Sequence, residues 1–304
     1  MVWGKGYVGA LQAADMTVAV LAWVLTQLEQ GHRVVLASVV QTSGSVPGKV
    51  GARLAMRSKD RKWTGTVGGA GLEMMVLKRS NTLLDEHHRP SGEVVKFGLN
   101  KGAKGYEVTP LDSLCGGRVT LSLEVLVPMP HVLLIGGGHC AQAIAPALDA
   151  VGWDHSVHDT RAEFCDVTLF SNAKNHLHMD ALTFAKHHDA VTLNRYSDVL
   201  LLGHDWSEDQ ERLLGILTTL QHDEATLDGQ NGPRVGVIGS RSKWQAFEKA
   251  ALEQGILQSM LNQVICPIGV HIGAESPEEI AVAVVAQIMS RHKGVDPSEP
   301  TWRQ

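Results

Sequence analysis

The chain has 304 residues, more than one domain usually holds, so we expect two domains. Hydrophobic residues make up 44% and charged residues 19%, a globular balance that does not favour disorder. The 27 basic and 32 acidic residues give a net charge of −5; with no Lys/Arg-rich run, this excludes a nucleic-acid-binding protein.

The longest apolar stretches, near residues 17–25 and 199–202, are too short to span a bilayer. The first ten residues lack the apolar core of a signal peptide, so we expect a cytoplasmic protein. The four cysteines never form a CxxC pair, and the 15 histidines show no HExxH spacing. We therefore predict no zinc ribbon, no disulfide framework and no metal site.

The N-terminal half predicts an α/β domain. Hydrophobic periodicity predicts a helix at 18–28 that Gly31 ends, strands at 33–40 and 53–56, a helix at 72–84 and a strand at 118–127. Two glycine-rich loops, 42–48 and 65–71, separate these elements. A glycine-rich loop that directly follows a strand is a candidate ligand site.

The prolines at 128 and 130 suit neither a helix nor a central strand. We therefore place a proline linker at 128–130, between an N-terminal domain at 1–127 and a second domain at 131–292. Residues 293–304 are predicted to form a C-terminal tail.

The second domain alternates strands with helices. The predicted strands are 131–135, 155–158, 198–203 and 235–238, and the predicted helices are 140–151, 208–221, 241–254 and 277–290. Such alternation predicts a parallel sheet with helices on both faces. We expect Ser207 to cap the helix at 208–221, with Gln210 completing a capping box.

The first strand of this domain leads into a G-x-G-x-x-A loop, Gly136 to Ala141, which opens a helix. Backbone N–H groups in such a loop approach a pyrophosphate. Asp159 ends the next strand, where an acid usually receives a ribose hydroxyl. The pattern predicts cofactor binding by Gly136, Gly138, His139 and Asp159; the alternative is a tight turn without a ligand.

Polar residues at other strand ends extend this candidate site. Arg161 either reaches a phosphate, pairs with Asp159, or is a solvated surface arginine. His204 and Asp205 follow the 198–203 strand, at the sheet edge where ligands of open α/β folds bind. His204 either contacts a cofactor or caps the sheet.

A third polar segment opens the helix at 241–254. Ser240, Arg241 and Lys243 stand at its start, where partial positive charge and free N–H groups attract an anion. The alternative is simple N-capping by Ser240, with both cations exposed to solvent.

These motifs belong to an ordered series along the chain. It reads Gly44-Ser45-Val46-Pro47, Gly65-Thr66-Val67-Gly68-Gly69 with Glu73, Cys115-Gly116-Gly117, Gly136-Gly137-Gly138-His139, Asp159-Thr160-Arg161, His204-Asp205, Gly239-Ser240-Arg241-Ser242-Lys243, Pro267-Ile268-Gly269 and 274–280. Over roughly 18–288, it resembles the XdhC/CoxI family. Gly48 departs from the family pattern, which usually has Arg there, and Ala70 stands where a third glycine is common.

The resemblance implies an N-terminal XdhC/CoxI α/β domain followed by a Rossmann-like parallel-sheet domain. It implies an accessory chaperone that binds the molybdenum cofactor, as molybdopterin or its cytosine dinucleotide form. Such a chaperone protects the cofactor, supports its sulfuration with a cysteine desulfurase, and inserts it into the apoenzyme of a xanthine dehydrogenase or aldehyde oxidoreductase-type molybdenum hydroxylase. The resemblance also suggests a homodimer, which is the most frequent assembly among soluble oligomers.

The resemblance makes Gly44, Ser45, Gly68 and Gly69 candidates for cofactor binding. Glu73 could orient an amine of the pterin ring, or it could be a first-turn acid that complements the helix dipole.

Cys115 precedes two glycines, so its thiol lies in a loop that can expose it. The resemblance ties this position to handling of the cofactor or its sulfur. The alternative is a small buried hydrophobe. We expect Cys140, Cys165 and Cys266 to be core residues.

Two other functions remain open. An NAD(P)-dependent oxidoreductase would also use Gly136 and Asp159, but it leaves the N-terminal loops and the Cys115 motif unexplained. A non-catalytic docking scaffold for a hydroxylase would need no ligand, which the intact glycine loop and Ser240-Arg241 disfavour. We expect a maturation factor rather than an enzyme.

Overall fold

The computed structural model describes residues 5–99, 108–110, 116–187, 190–229 and 232–298, without the side chains of 5–15, 108, 185, 187, 190 and 191. The chain divides into two compact units, Met1–Pro128 and Met129–Gln304. Within the described ranges, no helix is long and apolar enough to cross a membrane. The same ranges contain no group of three His, Cys, Asp or Glu side chains arranged to hold a metal ion.

The first unit is a mixed sheet covered by two helices. Its elements are α1 (Lys5–Glu29), β1 (Val34–Ser43), β2 (Arg53–Arg57), β3 (Trp63–Gly65), α2 (Ala70–Glu86), β4 (Ser91–Gly98), β5 (Val108–Pro110) and β6 (Arg118–Leu126). The strand order is β3-β2-β1-β6-β4-β5, and all pairs except β4–β5 are antiparallel.

Alternating side chains of the first sheet face two cores. Val35 and Ala37 on β1 pack with Val76 and other apolar residues of α2. Val34, one residue out of phase, packs with Val20 and Val24 of α1, since successive strand residues point to opposite faces. The two helices therefore cover opposite faces of this sheet.

The second unit is a parallel sheet between helical layers. Its elements are β7 (His131–Ile135), α3 (His139–Ala150), β8 (Asp154–Asp159), β9 (His176–His178), α4 (Ala181–His187), α5 (Ala190–Leu193), β10 (Asp198–Leu201), α6 (Trp206–His222), β11 (Arg234–Val237), α7 (Arg241–Glu253), α8 (Gln258–Leu261) and α9 (Pro277–Lys293). The strand order is β11-β10-β7-β8-β9. The predicted α/β architecture is confirmed.

The two faces of the parallel sheet bury different helices. Val132 and Leu134 of β7 pack with α3 and α9, and the intervening Leu133 packs with α6 and α7. The chain leaves β7 for β8 on one side and later returns to β10 on the other side. The order of strands therefore reverses at β7, which creates the crevice where ligands of open α/β sheets bind.

Candidate functional site

Four strand ends meet at the carboxyl edge of the parallel sheet. Ile135 of β7 is in register with His158 of β8 and Leu201 of β10, and Leu201 is in register with Val237 of β11. Every site residue predicted for the second domain lies at the end of one of these strands, in the loop after it, or in the first turn of the helix that follows. The fold therefore gathers them at one edge, although each side chain there has its own partners.

Gly136 is required by close approach of the backbone. Its φ is +100°, and a β-carbon there would lie 2.7 Å from the backbone nitrogen of Gly203. The loops after β7 and β10 thus touch at the point where the strand order reverses. Any side chain at 136 would force them apart.

Gly137 and Gly138 have opposite surroundings. A β-carbon at Gly137 would lie 1.7 Å from the carbonyl oxygen of Phe164, whereas one at Gly138 would meet no described atom within 4 Å. Packing within the protein therefore explains Gly137. Gly138 instead leaves open space at the start of α3, where a ligand could approach the backbone.

The helices that begin at this edge differ in their caps. Asp205 caps α6, Ser240 caps α7, and Ser276 with Glu279 forms a capping box on α9. Gly138 is the N-cap of α3 and supplies no side-chain hydrogen bond. Among the described residues, no side chain accepts from the first-turn N–H groups of α3, and with the helix dipole these groups favour an anion.

Asp159 and Arg161 form a two-pronged ion pair. Asp159 Oδ1 accepts Arg161 Nε at 2.9 Å and Arg161 N at 2.9 Å, and Oδ2 accepts Arg161 Nη2 at 3.0 Å and Gly137 N at 2.8 Å. Burial alone would raise the pKa of Asp159, but these hydrogen bonds outweigh it, and the pKa lies below its ordinary value. Arg161 also stacks on the Phe164 ring, 3.8 Å from its centre.

Lys243 joins a buried group of charges. Its Nζ donates to Asp209 Oδ2 at 2.9 Å, and Asp209 Oδ1 accepts Arg212 Nη1 at 3.2 Å. Arg212 Nη2 donates to Glu208 at 2.8 Å. Lys243 therefore has an internal partner, and its contact with an anion stays a prediction.

Sequence reasoning missed Asp209 and Arg212, whose side chains are 0% and 2% exposed. Their three-residue spacing on one helix face is a signal that could have indicated the pair. A β-carbon at Gly203 would lie 2.1 Å from Asp209 Oδ1. The glycine after β10 is therefore needed to admit this carboxylate.

The predicted cap of α6 is wrong. Asp205, not Ser207, is the N-cap, and its Oδ1 accepts the N–H groups of Ser207 at 2.8 Å and Glu208 at 3.2 Å. The carboxylate prevails because it reaches two free N–H groups and complements the helix dipole. This role occupies one oxygen of Asp205, whose contact with a cofactor stays a prediction.

The remaining predicted residues of this edge differ in their partners. Ser240 Oγ accepts Lys243 N at 3.3 Å, so the capping alternative is present. His139, His204 and Arg241 are exposed. These three side chains stand at the ends of β7, β10 and β11, facing solvent.

The glycine loops of the first unit pack against one another. A β-carbon at Gly44 would lie 3.1 Å from Gly117 Cα, and one at Gly68 would lie 2.5 Å from Gly48 N. A β-carbon at Gly69 would lie 3.0 Å from a side-chain atom of Pro47. The structure thus brings three predicted motifs together, and their glycines are explained first by this close packing.

Glu73 and Ser45 lie near these loops. Glu73 accepts a hydrogen bond from Thr66 Oγ1, which in turn accepts Gly68 N at 3.1 Å. The first-turn position of Glu73 complements the dipole of α2, whose N-cap Gly69 supplies no side-chain bond. Ser45 is exposed. Contact of either residue with a pterin stays a prediction.

Cys115 lies outside the described residues. Cys165 is 4% exposed and belongs to the core as predicted, but Cys140 and Cys266 are only half-buried. Cys266 nevertheless packs against the hydrophobic core of the second unit, whereas Cys140, in the first turn of α3, belongs to no core cluster of the described residues. Burial raises the pKa of all three thiols, which disfavours the reactive thiolate.

Comparison with known proteins gives two family matches. A family model described as the XdhC Rossmann domain matches residues 132–288, and one described as the XdhC and CoxI family matches residues 27–98. The first alone spans more than half of the chain.

The individual proteins similar to this chain have low sequence identity to it. YqeB of Escherichia coli (strain K12) is 27% identical, and the match covers 91% of this chain and 48% of YqeB; the chain thus spans about half of that relative's length. A probable xanthine dehydrogenase subunit from Bacillus subtilis (strain 168) is 23% identical, with 88% of this chain and 96% of that protein covered. A crystal structure of a xanthine dehydrogenase from Bacillus halodurans is 16% identical, covers 93% of this chain and 98% of that one, and has a TM-score of 0.44. The two family matches establish that the chain belongs to the XdhC and CoxI family.

Proposed function

We propose that this chain is an accessory protein of a xanthine dehydrogenase-type molybdenum hydroxylase, and that it binds the molybdenum cofactor through its phosphate or pyrophosphate. The name of the Bacillus subtilis relative, which refers to a xanthine dehydrogenase, supports the choice of partner. The observation that carries the proposal is the start of α3: an N-cap glycine with open space around it and no side-chain acceptor for the first-turn N–H groups.

The described residues fit a phosphate-bearing ligand at this place. The first-turn N–H groups of α3 would hold the phosphate, and the Arg161 side chain, which is 31% exposed and paired with Asp159, lies just after β8 at the same edge of the sheet. The carboxylates of Asp205 and Glu279 already accept backbone N–H groups at the starts of α6 and α9. Their negative charge disfavours binding of a second anion there. The molybdenum centre supplies hydroxylation chemistry to the enzyme that receives it, while this chain's residues bind and orient the phosphate end.

The alternative of an NAD(P)-dependent oxidoreductase is less well supported. A carboxylate offers roughly four lone-pair positions, and four donors from Arg161 and Gly137 already occupy the two oxygens of Asp159. A ribose hydroxyl would have to displace one of them. The residue that usually reads the ribose is thus engaged within the protein.

The finer parts of the proposal rest on the family resemblance. They are protection, sulfuration with a cysteine desulfurase, insertion into the apoenzyme, a role for Cys115 in sulfur handling, contact of Gly44, Ser45, Gly68, Gly69 and Glu73 with the cofactor, a homodimer, and a cytoplasmic location. Either molybdopterin or its cytosine dinucleotide form would satisfy the anion site at α3.

Reconstitution tests the accessory role. The purified chain, carrying any pterin that it retains, is mixed with cofactor-free xanthine dehydrogenase, and hydroxylase activity is measured against free cofactor at the same concentration. We expect higher activity with the chain present. Equal activity with and without the chain, over a range of concentrations, would contradict the role.

A further inference from the structure

Trp206 is an exposed aromatic side chain that the proposed site does not yet use. It is 58% exposed, more than Trp63 at 47% or Trp153 at 8%, and the other two tryptophans of the described ranges are partly buried. Within those ranges, the indole makes no hydrogen bond and no ring contact. Tryptophan is a largely buried residue on average, so an indole left in solvent is a candidate for ligand contact.

Trp206 begins α6 at the same edge of the parallel sheet at which α3 begins. Trp206 is the first residue of α6 and follows the Gly203 loop, whose backbone touches Gly136. Glu208, two residues further on, accepts a hydrogen bond from Thr160 Oγ1 at 3.2 Å, at the end of β8. Since β10 and β8 flank β7, the first turn of α6 reaches across the end of β7, where α3 begins.

The first turn of α6 is firmly held. Asp205 accepts the N–H groups of Ser207 and Glu208, and Glu208 also accepts Arg212 Nη2 at 2.8 Å. Arg212 is anchored to the buried Asp209. The backbone that carries the indole is therefore fixed before any ligand arrives, so little ordering is needed on binding.

We propose that the Trp206 indole is a stacking platform for the planar heteroaromatic ring of the ligand whose phosphate binds at α3. This inference rests on the proposed function for the phosphate, and it adds how the ring end is recognised. An indole face stacks on a flat ring with little regard to its hydrogen-bonding pattern. The indole N–H adds one donor at the ring edge.

The test compares Trp206→Ala and Trp206→Phe with the matched control Trp63→Ala, which removes an exposed tryptophan from the first unit. The ring probe is the fluorescent, phosphate-bearing oxidation product of molybdopterin, titrated by fluorescence anisotropy, and the ring-free probe is inorganic pyrophosphate, titrated by calorimetry. Thermal unfolding of each variant checks the fold.

We expect Trp206→Ala to weaken binding of the ring probe by about tenfold, which corresponds to about 1.4 kcal/mol, because the stacking contact with the indole is lost. Trp206→Phe should restore most of the affinity. Pyrophosphate binding and the melting temperature should change little in all variants, and Trp63→Ala should match the wild type with both probes.

Equal affinity of the wild type and Trp206→Ala for the ring probe would overturn the inference. If ring binding were unchanged while capture of the partner hydroxylase was lost, Trp206 would be a protein-interface residue, and the inference would be wrong. Failure of the proposed function would give a different result, because the wild type would then bind neither the ring probe nor pyrophosphate. That result would overturn the stacking role as well.

Discussion

Asp159 and Arg161 are joined by two parallel contacts, Oδ1 to Nε at 2.9 Å and Oδ2 to Nη2 at 3.0 Å, and the same carboxylate accepts Gly137 N at 2.8 Å. The pair thus links the end of β8 to the glycine loop that opens α3. It holds the glycine loop of the proposed phosphate site against the end of β8, and contact of Arg161 with the phosphate stays a prediction.

We predict that Asp159→Asn lowers the free energy of unfolding at neutral pH by about 1–3 kcal/mol, because a buried donor loses its acceptor. The pKa of Asp159 is lowered in the folded chain, so its contribution is fully present above the ordinary pKa and is lost as the pH falls through the lowered one. Urea unfolding of both proteins from pH 7 downward measures this. A stability difference that does not shrink in acid would contradict the ion-pair explanation.

Gly138→Asp separates binding from folding. The N-cap geometry of Gly138, φ −70° and ψ −170°, suits aspartate, and the new side chain meets no described atom at its β-carbon. We expect unchanged or slightly higher stability, by a few tenths of a kcal/mol, since Asp is the better cap. Pyrophosphate binding should be lost, because the carboxylate occupies the N–H groups and repels the anion.

Gly137→Ala provides the contrast for Gly138→Asp. Its β-carbon would lie 1.7 Å from the Phe164 oxygen, and overpacking of this kind typically costs about 1–3 kcal/mol. Thermal unfolding and calorimetric titration of both variants are the measurements. Normal pyrophosphate affinity in a folded Gly138→Asp protein would refute the placement of the site.

Lys243 and Lys249 lie on the same helix but in different environments. The Lys243 side chain is 17% exposed and pairs with the fully buried Asp209, whereas Lys249 is 79% exposed. We predict that Lys243→Met lowers the free energy of unfolding by about 3 kcal/mol, because it removes one partner of a buried charge. Lys249→Met should change it by less than about 0.5 kcal/mol. Similar losses in chemical denaturation of both variants would argue against the buried charge group.

His131 makes the second unit sensitive to acid. Burial, followed by the charge of Arg195, lowers its pKa to about 4. Between the ordinary pKa of 6.5 and about 4, the unfolded chain binds a proton that the folded chain does not, so stability falls as the pH drops through this window. The loss approaches about 3 kcal/mol at its lower end, at 1.36 kcal/mol per pKa unit.

His131→Gln should therefore flatten the decline in stability between pH 6.5 and 4, relative to the wild type. His222→Gln, at a side chain that is 88% exposed, is the control and should leave the slope as it is. Denaturant unfolding at several pH values measures both. An unaltered slope in His131→Gln would remove the role assigned to this imidazole.

Sequence periodicity was sufficient for the parallel sheet, because buried strands such as 131–135 are continuous apolar runs followed by glycine and a helix. It did not predict β4, in which charged Glu93 and Lys96 flank two valines. The apolar stripe also placed the start of α1 too late, at residue 18 instead of Lys5, because Gly6 and Gly9 have low helix propensity and did not indicate a helix.

The candidate site was predictable only as a set of loops. Spacing brought Asp159 to the right edge of the sheet, but it could not reveal that Arg161 and Gly137 occupy the carboxylate, because those partners are chosen by loop geometry. For the same reason Asp205 rather than Ser207 caps α6, and Lys243 reaches Asp209. The local sequence pattern predicts where a polar side chain lies, whereas the tertiary structure determines whether that side chain already has hydrogen-bond partners within the protein.

The most direct test of the central claim is a competition titration of the wild-type chain with pyrophosphate, the phosphate-bearing oxidation product of molybdopterin, and NADH. We predict that the pterin binds, that pyrophosphate competes with it, and that NADH binds more weakly by at least tenfold, because Asp159 is already saturated and offers no acceptor for the ribose. Tight NADH binding together with no measurable pterin binding would contradict the account.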